Sequence, residues 1–177
     1  MGTASLLALV LAGTAAVVDV KERRVPNLLT FGGAALAVAY HSWAGGISGL
    51  AFSGAGWATG LILFLPLFLL RGLGAGDVKL LAAVGACLGP AVTLRVALYS
   101  VLAGGLLAVA VAARHRYLRQ AGRNLMAMLG VWRAEGLKPV PGVTLEDTAG
   151  PRLAYAIAIA AGTLSAIWLA GRDGGLL

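Results

Sequence analysis

The sequence predicts an all-α membrane protein, a bundle of about six transmembrane helices, and three observations carry that expectation. Of the 177 residues, 59% are hydrophobic and only 12% are charged. Mean hydropathy is +0.88, well above that of an ordinary soluble domain. The lysines and arginines gather in the gaps between long apolar runs, where the positive-inside rule would place them.

Taken in order, the apolar runs are Thr3 to Val18, Leu28 to Trp43, Ile47 to Leu70, Val78 to about Thr93, Val96 to Ala113, and Leu153 to Ala170. Each approaches the roughly 20 residues that cross a hydrocarbon core. The first has no lysine or arginine before it and reads as a retained span, not a cleaved signal. The fourth is the shortest and closes on the dipeptide "GP". Pro66 is expected to kink the third span, which neighbouring helices can accommodate. The pairs Gly45/Gly49, Gly56/Gly60 and Gly85/Gly89 have the four-residue spacing that lets membrane helices approach closely.

Alternating sides from the first span puts Lys21, Arg23, Arg24, Arg71, Lys79, Arg114, Arg116, Arg119, Arg123, Arg133, Lys138 and Arg152 on one face. Only Arg95 and Arg172 fall on the other. The first face is therefore cytoplasmic and both termini are outside. The long polar stretch from Arg114 to Gly150 becomes a basic cytoplasmic loop between the fifth and sixth spans. Within it "NLMAMLGVW" (Asn124 to Trp132) is apolar enough to lie on the membrane surface. The whole chain, 1–177, reads as one polytopic domain embedded in the lipid bilayer.

This composition narrows the chemistry. The formal charge of +7 is distributed as loop charge and not as an aromatic-interleaved face, so nucleic acid is not an expected partner. The single cysteine, Cys87, lies in an apolar run and reads as a small buried hydrophobe. His41 stands alone on the outer side and His115 lies in the basic loop, so neither a metal nor another cofactor is expected.

Of seven acidic residues, Glu22, Glu135, Glu146, Asp147 and Asp173 read as solvated loop or tail charges. Asp19 and Asp77 differ. Asp19 ends the first span after "AAVV", and Asp77 begins the fourth after "GAG", so both sit at the cytoplasmic boundary. From spacing alone two readings stand: interfacial anchors paired with Lys21, Arg23 or Lys79, or a site in which the two carboxylates meet. Gly72, Gly74 and Gly76 favour the second, because glycine opens backbone conformations and lets another chain approach closely. The fuller GxGxxG spacing of a dinucleotide loop is not present around them. Two carboxylates that meet cannot both ionise easily and share a proton, as in an aspartic protease. One takes a proton from the attacking water while the other donates to the carbonyl oxygen.

"DVKERRVPNLLT", followed further along by "GAGDVKLLAAVG", resembles the type IV prepilin peptidases, and in particular their short members that serve Flp or tight-adherence pili. In those GxGD-type membrane aspartic proteases the first aspartate opens a D-x5-[IV]-P-N pattern and the second belongs to GxGDxK. Both patterns are complete here. The resemblance implies that Asp19 and Asp77 are catalytic, that Gly74 and Gly76 shape the active-site loop, that Lys79 completes the motif, and that Pro26 with Asn27 fixes the loop after Asp19. "RLAYAIAIAAG" (Arg152 to Gly162) looks like the family's last span, with Ala154 where proline often precedes the tyrosine.

The implied activity is removal of a short basic leader from a prepilin at the cytoplasmic face of a bacterial inner membrane, with the pilus assembly machinery as a further partner. Longer relatives also methylate the new N-terminus through a domain with paired CxxC motifs. This chain lacks those cysteines, so peptidase activity without methylation is expected. The alternative from another class is a transport protein whose aspartates carry protons or a cation. It predicts carboxylates spread through the membrane's depth, and none lies mid-span.

Overall fold

A computed structural model describes residues 2–116, 118–138, 140 and 153–172. Glu146, Asp147, Arg152 and Asp173, together with the stretch 141–150 of the expected cytoplasmic loop, lie outside the described residues. Among those described, the chain forms five helices and no strand: α1 (Thr3–Glu22), α2 (Asn27–Leu69), α3 (Ala75–Arg114), α4 (Leu118–Glu135) and α5 (Tyr155–Arg172). Four of them, α1, α2, α3 and α5, are long and apolar enough to cross a membrane.

The second and third apolar runs thus fall on α2, and the fourth and fifth on α3. At 1.5 Å per residue, straight helices of their 43 and 40 residues would be roughly 60 Å long, about twice the hydrocarbon thickness. Neither is straight. Gly46 leaves helical geometry at φ 57° and ψ −135°, and Gly89, just before Pro90, does so at φ 75° and ψ 172°. Such positive φ values suit glycine and strain other residues.

Across Gly46 the rings of His41 and Phe52 stand 5.1 Å apart, although eleven residues of straight helix would separate them by about 16 Å. Across Gly89, the point where a Gly85 side chain would begin lies 3.0 Å from Thr93 Oγ1. Each long helix therefore folds back on itself. Pro66 lies inside α2 with helical dihedrals, and the break in that helix is at Gly46, between the second and third apolar runs.

Breaking a helix in an apolar medium strands carbonyl groups that water cannot reach. Pro90 has no N–H for the Ala86 carbonyl, and the buried Ser53 hydroxyl donates to it instead at 2.8 Å. His41 Nε2–H donates to the Cys87 carbonyl at 2.9 Å. A carbonyl can only accept, which fixes the tautomer. His41 is therefore not isolated, as the sequence suggested. It caps the broken helix and packs edge-on against Tyr40.

Residues 80–89 of α3 are buried without interruption, making this half of α3 the centre of the bundle. The half of α2 after Gly46 runs antiparallel to it at very short range. Gly56 faces the Gly85 carbonyl, Gly60 faces the backbone of Leu81 and Ala82, and the Phe52 ring covers Gly89. A side chain at Gly56, Gly60 or Gly85 would collide with backbone, so these glycines act as the spacing predicted. Gly45 differs, facing open space. The outer rods present large apolar side chains outward, Trp43 at 92% and Ile47 at 87% exposure among them, as lipid contact requires. Helix α4 covers "NLMAMLGVW" and buries none of its residues.

Replacing Ser53 by Ala should lower stability by about 1–2 kcal/mol, because the Ala86 carbonyl then has no donor. Denaturant titration in detergent micelles measures this, and Ser53→Cys, a weaker donor, should fall between the two. Gly85→Leu should prevent accumulation of folded protein altogether.

Candidate active site

At the end of the bundle opposite the Gly46 and Gly89 breaks, three helix termini converge. Helix α1 closes on Arg23, whose left-handed φ of 56° brings its N–H to the Asp19 carbonyl at 2.9 Å. Asp19 lies in this last turn and is only 7% exposed. Its carboxylate Oδ2 accepts the backbone N–H of Ala156 at 3.3 Å, from the first turn of α5.

Helix α3 begins at the second motif. Gly74 is its N-cap and Asp77 its third residue, and Asp77 Oδ2 accepts the Gly74 N–H at 3.2 Å. This is the reciprocal half of a capping box, which satisfies an N–H that the helix cannot. Asp77 lies within electrostatic range of Asp19. Tyr155, first residue of α5, lies within range of Asp77. The loops that carry the two aspartates thus lie at one end of the bundle, Gly76 against Val25 and the first turn of α5 bonded to Asp19.

The remaining motif residues join the same ends of α2 and α3. Pro26, held at φ −62°, is the N-cap of α2, and its carbonyl accepts the N–H groups of Leu29 and Thr30. Asn27 follows, and its side-chain Oδ1 accepts the Lys79 ammonium at 2.9 Å. Lys79 also stands 5.4 Å over the Phe31 ring. Lys79 therefore turns to Asn27 and ties the first motif to the second. Beside it an apolar slot of about 270 Å³ opens between α2 and α3, lined by Thr30, Phe31, Trp57, Leu61, Lys79 and Ala82.

Of the two expected uses of the loop glycines, conformational freedom and close approach, the structure shows the second. None of Gly72, Gly74 and Gly76 has a positive φ. The left-handed non-glycine residues among those described are Arg23, Arg71 and Arg116. Gly74 and Gly76 contribute space: a side chain on Gly74 would begin 3.2 Å from Asp77 Oδ2, and one on Gly76 would begin 3.2 Å from Val25 Cβ. Missing side chains thus admit the Asp77 carboxylate on one side and the loop after Asp19 on the other.

A family model described as the type IV leader peptidase family matches residues 6–109. The chain belongs to that family. The matched segment carries both aspartates, the Asn27–Lys79 bond and the loop glycines of this leader peptidase. It ends before α4 and α5. No curated protein and no solved structure matched.

Sequence reasoning missed Tyr155 and Ala156. An alanine contributing only its backbone N–H leaves no signal in a sequence. Tyr155 left one: it is a polar-tipped ring at the boundary of the last apolar run, where such rings need a partner.

If the Asn27–Lys79 bond ties the motifs together, losses from Asn27→Ala and Lys79→Met should not add. A double-mutant cycle on unfolding in micelles should give a coupling of about 0.5–1 kcal/mol.

Proposed function

We propose that this leader peptidase is an aspartic endopeptidase that removes the short basic leader of Flp-like type IV prepilins at the cytoplasmic face of the inner membrane. The observation that carries the reading is the convergence, at one end of the bundle, of the two motifs that carry Asp19 and Asp77, with Gly76 against Val25 and Lys79 bonded to Asn27. Each carboxylate has one oxygen fixed by a backbone N–H, at Ala156 for Asp19 and at Gly74 for Asp77. The other oxygens handle the proton and the water.

In this mechanism the ionised member of the pair takes a proton from water as that water attacks the peptide carbonyl. The protonated member donates to the carbonyl oxygen, and collapse of the tetrahedral intermediate returns a proton to the leaving amine. Pro26, Asn27, Gly74, Gly76 and Lys79 hold the two acid-bearing turns in register. The reversals at Gly46 and Gly89 support six crossings from four long helices. With Arg23, Arg24, Arg71 and Lys79 at the acid-bearing end, that end faces the cytoplasm and both termini face out.

Co-expression with a prepilin, followed by mass spectrometry of the pilin N-terminus, tests the proposal. The parent should remove the leader, and Asp19→Asn or Asp77→Asn should each lower the rate by about 10²–10⁴-fold. Cleavage by either variant at the parental rate would sink the acid-pair mechanism.

A further inference from the structure

Helix α5 lies outside the matched segment 6–109, yet its first turn donates a backbone N–H to Asp19. Resting on the peptidase reading above, we propose that Tyr155 and the Ala156 amide are positioning elements of the acid pair, and that α5 completes the active site.

Asp19 occupies an awkward place. It is buried in the last turn of α1, where the unpaired carbonyls and the negative end of the helix dipole oppose a carboxylate. What offsets this is the N–H of Ala156, at the positive end of α5. The need is mutual. The residue before α5 is Ala154, which has no side-chain oxygen to serve as an N-cap, and Ala156 is fully buried. Its N–H takes the Asp19 carboxylate as the acceptor that the chain does not supply locally.

A bond of this length tolerates little sliding of α5 along its axis, and Tyr155 sets that height. Its ring packs edge-on against Phe64 of α2 at 5.9 Å between centroids. The ring also rests on Gly104 of α3, where any side chain would run into it. Its hydroxyl donates to the Ser100 carbonyl at 3.2 Å. Tyr155 thereby locks the start of α5 to α2 and α3, beside Asp77, while the next residue holds Asp19. The height of Asp19's donor is thus set by the ring beside it in the same turn.

The proposal predicts a split between turnover and binding. In a reconstituted cleavage assay, Tyr155→Ala should lower kcat by about tenfold or more, with KM within about twofold of the parent. Its pH–rate profile should also be displaced from the parent's. Tyr155→Phe, which keeps the wedge and loses the tether, should recover most of that loss, and Gly104→Ala, which pushes on the ring, should behave as Tyr155→Ala does. A second measurement needs no activity and no Tyr155 variant. Hydrogen exchange at the Ala156 amide, followed by mass spectrometry in nanodiscs, should be at least tenfold faster in Asp19→Ala than in the parent.

Parental kcat with a parental pH profile in Tyr155→Ala would overturn the proposal, as would Ala156 exchange indifferent to Asp19. Should the parent cleave no prepilin, the peptidase reading fails by itself. The exchange experiment still decides whether α5 holds Asp19.

Discussion

In a hydrocarbon environment every backbone N–H and C=O must find its partner inside the protein, and the architecture of this leader peptidase follows from that constraint. The chain is folded from long apolar rods, two of which reverse at Gly46 and Gly89, and each turn strands polar groups. At one end the stranded groups are carbonyls, taken by Ser53 and His41. At the other they are N–H groups, and the residues that take them are Asp77 and Asp19. The aspartates therefore do at the helix starts what a hydroxyl and an imidazole do at the helix break.

This removes the opposition between a structural and a chemical reading of the two carboxylates. A carboxylate at a helix N-terminus is stabilised by the local N–H groups and by the dipole, so the first turns of α3 and α5 are places where an acid can stand at a membrane edge. Because each is held by a single oxygen, capping uses only part of its capacity as an acceptor. The fold thereby supports two acids side by side where an unsupported carboxylate would be costly. The Lys79 ammonium is turned toward Asn27, where it joins two segments of chain.

Much of this was legible in the sequence. The apolar runs mark the rods, and the motifs around Asp19 and Asp77 mark the end at which the acids meet. The close approach of Gly56 and Gly60 to the Gly85 turn was legible because small residues at helical spacing have one common use in membranes. What could not be read were contacts made by backbone. The N–H of Ala156 and the carbonyls of Ala86 and Cys87 have no sequence signature, and so the tasks of Ser53, His41 and α5 were hidden. The glycines of the second motif were read as open to two uses for a related reason. Glycine offers both conformational freedom and empty space, and only coordinates tell which is used; at Gly74 and Gly76 it is space.

The arrangement also explains why the chain continues past the segment that carries the motifs. Within residues 6–109 Asp77 is capped by its own helix, whereas Asp19 stands at the carbonyl end of α1. The backbone N–H that Asp19 accepts comes from the start of another helix. In the six-crossing reading, α3 ends on the membrane face where Asp19 stands, so the next helix to enter the membrane begins there as well. That helix is α5. An amphipathic segment such as α4 can occupy the interval, because the only geometric demand on the connection is to return the chain to the membrane beside Asp19. Since the donor is a main-chain N–H, the residue supplying it is free to be an alanine, and what the sequence must conserve in its place is the height of the helix, set here by a tyrosine ring against a glycine.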